Sequence, residues 1–343
     1  MILVTGATGL VGSYLLFELL QAGEPVRALL HNRANLSHTR QIFNSLGADA
    51  ETLINRIEWV EGDVLDYFSL IDAMKGIQKV YHCAAIVSFD PRDRKQMMKV
   101  NVDGTANVVN AALETGIDKL CHVSSIASLG RTENSNIIDE KSQFRTSAFN
   151  SMYSLSKYSG EREVWRGTAE GLKAVIVNPS VILGYGNPDK GSTKLFQTIY
   201  RNSMFYGQGM NGFVDVQDVV KVMISLMEGR VTNERFVVSA GDFSYRDIFT
   251  MIATAYGKKE PRFPVPAFAL DIIWRLEWLN SKVTGKRPLI TRETARTSKG
   301  NFSYNTAKLH CTLNFVYTPM EKTISRTCRL IMEDIEKSRK GNS

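Results

Sequence analysis

Short apolar-rich stretches recur through the first half of the chain, and a stretch of helical spacing follows most of them. Residues 2–4 show no polar alternation, and 26–30, 57–60, 79–83, 120–124 and 174–178 read as further strands. That pattern predicts strands buried on both faces of a parallel sheet. Leu15, Leu16, Leu19 and Leu20 recur at helical spacing and stop at Gly23, which predicts the first helix and its end. Residues 36–56 read as a polar helical insertion. A long helix is expected from Asn101 to Thr115 with Gly116 as its stop, another around Tyr153 to about Thr168, and another opening in Phe213–Val219. Strands alternating with helices predict an α/β fold with a doubly wound parallel sheet. Residues 1–180 are expected to form the sheet domain, interleaved with about 213–240. Residues 181–343 are expected to form a smaller, mostly helical substrate-binding region.

The first dozen residues carry the first chemistry. Gly6, Gly9 and Gly12 sit at three-residue spacing between a buried strand and a helix. Three glycines alone mean a tight turn. Between strand and helix they make a pyrophosphate cradle, where bare backbone approaches the ligand and the helix N-terminus offers free N–H groups. Gly6, Thr8, Gly9, Leu10, Val11 and Gly12 are therefore candidate cofactor contacts, in a Rossmann-type nucleotide site. In such a site an acidic residue near the end of the second strand would bind the ribose of NAD. Here the chain reads Leu30-His31-Asn32-Arg33. Without a carboxylate, His31 and Arg33 favour NADP, with NAD as the alternative and a plain surface arginine as the ordinary reading of Arg33. In Gly62-Asp63-Val64, Asp63 and Val64 are candidates for the adenine, or Asp63 is a turn residue or helix N-cap. Ala84 and Ala85, small residues at a strand's carboxyl end, leave room for a cofactor. Ser124 and Ser125 reach the same sheet edge. Tyr153 and Lys157, four apart, share one helical face.

Net charge is +7 with a pI near 9.1. This favours anionic partners such as a phosphorylated cofactor, an acidic substrate or a membrane surface. The basic residues are scattered and no nucleic-acid motif occurs, so nucleic acid is not expected. The four cysteines lack metal-ligand spacing, and no metal is expected. The strand pattern begins almost at Met1, so no cleavable signal is expected, and no apolar run approaches the length of a membrane span. A reduced, cytoplasmic setting follows.

Together, Gly6/Gly9/Gly12, Gly62-Asp63-Val64, Asn101-Val-Asp-Gly-Thr105, Ser124-Ser125, Tyr153/Lys157 and Val214-Asp-Val-Gln-Asp218 resemble the extended short-chain dehydrogenase/reductases. Residues 175–184, Val-Ile-Val-Asn-Pro-Ser-Val-Ile-Leu-Gly, look most like the dihydroflavonol and cinnamoyl-CoA reductases, with 3β-hydroxysteroid dehydrogenases nearby. The Asn-Trp-Tyr-Cys-Tyr signature of cinnamoyl-CoA reductases is missing, so that substrate is not implied.

The resemblance implies Tyr153 as acid/base, Lys157 as its cation and ribose contact, Ser125 as partner of the substrate oxygen and Asn101 as support. It also implies cofactor contacts at Ser124, Asn178 and Val181, and permits a homodimer through the helices after Asn101 and around Tyr153. Ser125 is preferred to Ser124 because it stands five before Gly130, as the family's Ser-x-x-x-x-Gly pattern requires. Sugar 4,6-dehydratases carry a Thr-Asp-Glu segment at the serine. Here Ser124-Ser125-Ile126 has no carboxylate, so dehydration is disfavoured. Epimerases share the triad and stay open, as does a non-catalytic nucleotide sensor. The expected activity is reduction of a ketone or aldehyde, or the reverse oxidation.

Residues 130–150 are polar, a candidate substrate loop. Residues 264–279 read as an apolar aromatic helix flanked by Lys282, Lys286 and Arg287. Its ordinary reading is packing against the core; its sharper reading is a lid or membrane-surface segment for a hydrophobic substrate. Residues 321–340 read as a last amphipathic helix.

Overall fold

The computed structural model describes residues 1–33, 36–130, 137–145, 150–188, 191–288 and 290–340. Seven parallel strands form the central sheet: β1 (Ile2–Thr5), β2 (Val26–Leu30), β3 (Glu58–Glu61), β4 (Lys79–His82), β5 (Lys119–Val123), β6 (Ala174–Pro179) and β7 (Glu234–Val238). Their order is β7-β6-β5-β4-β1-β2-β3. The inner strands face a core on each side, whereas the edge strand β3 is partly exposed and alternates Glu58, Trp59, Val60 and Glu61. Ile2, Val4, Tyr81, Cys121, Val175 and Val177 point into one apolar cluster. Leu3, Val80, Leu120, Ala174 and Ile176 point into the other. Helices Leu10–Gln21 and Val216–Glu228 cover the first face. Helices Tyr67–Met74, Gly104–Thr115 and Met152–Ala169 cover the second.

The polar insertion is two helices, Leu36–Ser45 and Ala50–Asn55. Asn101 does not open a helix as expected. A helical run already begins at Arg94, and Asn101 sits in a π-helical turn, Lys99–Asp103, before Gly104–Thr115. Such turns re-aim side chains near functional sites. Gly116 closes that helix in the left-handed conformation, φ +71°.

Beyond the central sheet, Val181–Leu183, Met210–Asp215 and Gly241–Ser244 form a three-stranded sheet. The apolar helix spans Ala267–Thr284, after Pro266, and ends at Gly285. The last helix, Met320–Lys340, inserts Met320, Ile324, Cys328 and Ile331 into the first core. Within the candidate substrate loop, residues 131–136 and 146–149 lie outside the described residues.

Candidate active site

Strand order reverses between β1 and β4, and the crevice at their carboxyl ends is where open α/β sheets bind ligands. The glycine turn lies there. Gly6 has φ +64°, and a side-chain carbon on it would come within 2.5 Å of the Ala84 backbone nitrogen. Only glycine satisfies both demands. The turn closes through a Gly9 N–H to Gly6 carbonyl bond of 2.9 Å, and no side chain caps the following helix at Gly9. Gly9 is exposed, while Gly6, Thr8, Leu10 and Val11 are half-buried. The cradle is therefore open backbone at a helix N-terminus, which fits a pyrophosphate. Ala84 and Ala85 line the other side of the crevice at half-burial. His82 bonds the Thr5 hydroxyl at 2.7 Å and the Thr105 hydroxyl at 3.0 Å, tying β1 and β4 to the helix beneath. Burial, with the Lys157 charge nearby, pushes this imidazole down to about 3, so it is neutral.

Ser125 and Tyr153 meet over the end of β5. The Ser125 hydroxyl lies beside the Tyr153 phenol. Burial raises that phenol above its ordinary value, and the Ser125 hydroxyl opposes the rise. The Phe89 ring packs edge-on to Tyr153, 5.7 Å between centroids. One turn along the helix, the Lys157 ammonium donates to the Val123 carbonyl at 2.8 Å. Burial pushes Lys157 down to about 8, with Cys83 and Glu161 pulling the other way. The helix starts at Ser151, whose hydroxyl accepts from Ser154 N–H at 3.0 Å. Glu293, from the carboxyl third, accepts the Met152 N–H at 3.1 Å and forms part of the wall there.

Asn101 fixes the backbone around this cluster. Its amide accepts from Ile86 N–H at 2.7 Å and donates to the Ile86 carbonyl and the Ser156 hydroxyl, each at 2.9 Å. The Tyr–Lys helix approaches this turn so closely that a side chain on Gly160 would strike the Asn101 carbonyl.

Behind the serines lies a residue that the sequence reading missed. Glu161 is 2% exposed. One carboxylate oxygen accepts from Ser124 at 2.6 Å, Ser128 at 2.7 Å and Asn178 at 2.8 Å. The other accepts from Arg235 at 2.9 Å and Trp165 at 3.3 Å. Burial alone would raise this carboxyl. The Arg235 charge and the serine hydroxyls outweigh it, and the group lies below its usual range. Ser124 and Ser125 thus face opposite ways, Ser124 into the Glu161 network and Ser125 onto Tyr153. Asn178 also donates to the Ser125 carbonyl at 3.2 Å. Val181 begins the next strand, paired with Phe213.

At the far end of the crevice a pocket of about 540 Å3 is lined by Leu30, His31, Asn32, Arg33, Glu61 and Asp63, among others. The end of β2 lacks a carboxylate, but β3 delivers one. Glu61 pairs with Leu30 in the sheet register and bonds Arg33 at 2.7 Å. Asp63 lies 3.5 Å from His31 and accepts the Leu65 N–H at 3.0 Å. It is a turn residue; the N-cap of the next helix is Asp66. Val64 turns into the core against Gly104.

A sequence profile of the NAD dependent epimerase/dehydratase family matches residues 2–239. The chain belongs to that family. It is 28% identical over 315 residues to a putative dihydroflavonol 4-reductase of Synechocystis sp., covering 89% of this chain and 87% of that one. It is 28% identical over 268 residues to sterol demethylase protein B of Methylococcus capsulatus, covering 77% of each. Among solved structures, gox2253 superposes with a TM-score of 0.78 at 28% identity, covering 97% of this chain and 98% of that one. UDP-glucose 4-epimerase of Thermotoga maritima shares the fold, with a TM-score of 0.76 at 18% identity over 97% of this chain and 99% of that one.

Proposed function

We propose that this chain is an NADP(H)-dependent oxidoreductase that reduces the carbonyl of an apolar ketone or aldehyde, or oxidises the corresponding alcohol. The observation that carries this reading is the Tyr153–Ser125 hydroxyl pair with Lys157 one helical turn away. When bound, the nicotinamide supplies or accepts the hydride. Gly6, Thr8, Gly9, Leu10, Val11 and Gly12 would hold its pyrophosphate, and Arg33 would pair with a 2′-phosphate. Ala84 and Ala85 give the crevice its room.

Tyr153 donates its proton to the substrate oxygen during reduction and recovers it in the reverse direction. A phenol raised by burial is a poor base on its own. The Lys157 charge lowers the cost of the phenolate, and the ammonium would also hold the nicotinamide ribose. Ser125 donates to the substrate oxygen as charge develops there. Asn101 acts at one remove, by holding the Ile86 backbone. The apolar substrate is supported by Phe89 beside Tyr153, and by the sterol in the name of the Methylococcus relative. The reading includes a homodimer through the outer faces of Gly104–Thr115 and Met152–Ala169. It also includes a reducing cytoplasm that keeps Cys83, Cys121, Cys311 and Cys328 as the free thiols they are.

Binding of NADPH and NADH to the purified protein is the first test, followed by a panel of ketones and aldehydes graded by apolar size. Tyr153→Phe should lower turnover by about 10²- to 10⁴-fold while nucleotide binding is retained. Failure to bind either nucleotide would sink the reading. Nucleotide binding with no carbonyl turnover would move the assignment to epimerisation of a nucleotide sugar, tested next with such sugars, or to a non-catalytic nucleotide sensor.

A further inference from the structure

The helix Ala267–Thr284 carries a stripe that the active site does not use. Phe268, Ile272, Leu276, Leu279 and Val283 recur at spacings of four, four, three and four, which is one helical face. All five are between 53% and 80% exposed. On a monomer's surface a contiguous apolar face of this kind marks a contact with something apolar. The strand pair that leads into the helix adds Phe205 and Phe263, both more than half exposed and 5.9 Å apart by ring centroid.

Charge decides what the stripe meets. Residues 258–287 hold seven basic and three acidic side chains, so a segment under a tenth of the chain carries +4 of the +7. Lys259, Arg262, Arg275, Lys282 and Lys286 are exposed. Asp271 is held by Lys299 at 3.0 Å. Trp278 is 52% exposed, with the Lys282 ammonium 5.9 Å from its ring centre. An apolar face edged by cations, with a tryptophan at the boundary, matches an anionic lipid interface. No helix among the described residues is long and apolar enough to cross a membrane, so this one lies on the surface.

We propose that Ala267–Thr284, with the Phe205/Phe263 corner, docks the protein onto anionic lipid membranes. The apolar stripe enters the acyl boundary, and the cations engage the headgroup phosphates. Binding therefore weakens as salt rises.

Co-sedimentation with phosphatidylcholine vesicles, with and without phosphatidylglycerol, tests this on the full chain without nucleotide or carbonyl substrate. The outcome is then independent of the reaction assigned above. Binding to the anionic vesicles is expected, with a blue shift in tryptophan emission, since Trp274 and Trp278 are two of the four tryptophans. The triple variant I272S/L276S/L279S removes three exposed side chains and should keep the wild-type unfolding midpoint. It should lower vesicle affinity by at least about tenfold. K282E/K286E should lose preference for the anionic vesicles. Three outcomes would overturn the proposal. One is no vesicle binding; another is binding that the triple variant leaves unchanged. The third is a dimer in solution that the triple variant dissociates while neither protein binds vesicles, which would assign the stripe to a second copy of the chain.

Discussion

The two ends of the crevice are built on opposite principles. At the Tyr153 end, polar groups are buried and bonded to one another: Glu161 takes five donors, Asn101 three bonds, and Lys157 a carbonyl. At the β2–β3 end, Arg33 and Glu61 pair in the open, 78% and 69% exposed. Buried networks are costly to disturb and hold one geometry, whereas exposed ion pairs are weak and exchange partners readily. The protein thus holds the groups proposed here for acid/base work in one geometry and leaves the β2–β3 end open to rearrangement.

Removing Glu161 should have the largest effect on this contrast. Glu161→Ala leaves Arg235 without its buried partner and Ser124, Ser128 and Asn178 without their shared acceptor. A loss of about 3 kcal/mol or more is expected in urea denaturation. An unchanged midpoint would show that the two ends are not so different.

Lys157 sharpens the contrast through pH. In the folded chain its pKa is about 8, against 10.5 for an ordinary lysine. Between these values the unfolded chain still holds a proton that the folded chain has released. Folding stability therefore rises with pH across that window, and below about pH 8 this group adds no pH dependence. Wild type should gain stability relative to Lys157→Met between pH 8 and 10. A parallel course for the two proteins would contradict the burial argument.

The smallest effect is expected at the exposed end. Glu61→Gln frees Arg33 and should raise affinity for ADP-ribose 2′-phosphate relative to ADP-ribose by no more than about fivefold, read by calorimetry. A change of a hundredfold would mean that this end, too, is organised in advance.

These two regions also differ in how far the sequence reveals them. The glycine turn, Ser125, Tyr153 and Lys157 are legible because each sits at a strand end or on one helical turn, where local spacing fixes position. Glu161 is four residues past Lys157, a place that reads as an ordinary helical ion pair. Its partners come from β5, β6 and β7, so its role exists only once those strands are neighbours. The one local signal is its position on the buried face with Ser154, Lys157 and Val164. Glu61 is hidden for a similar reason, since it reaches the end of β2 only through the pairing of β3 with that strand. Helix Ala267–Thr284 was visible as an apolar segment, but whether its face was covered depended on packing.

Arg235 belongs to β7, which the ribosome makes more than a hundred residues after Ser125. Until that strand docks on the edge of β6, Glu161 lacks its ion-pair partner Arg235. Chain growth thus imposes an order: the glycine turn can form early from local βα units, while the Glu161 network behind the Ser–Tyr–Lys cluster is completed late, when a distant segment returns to the sheet. A nascent or proteolysed fragment ending near residue 180 would carry every residue of the Ser–Tyr–Lys set and still lack the strand that braces it.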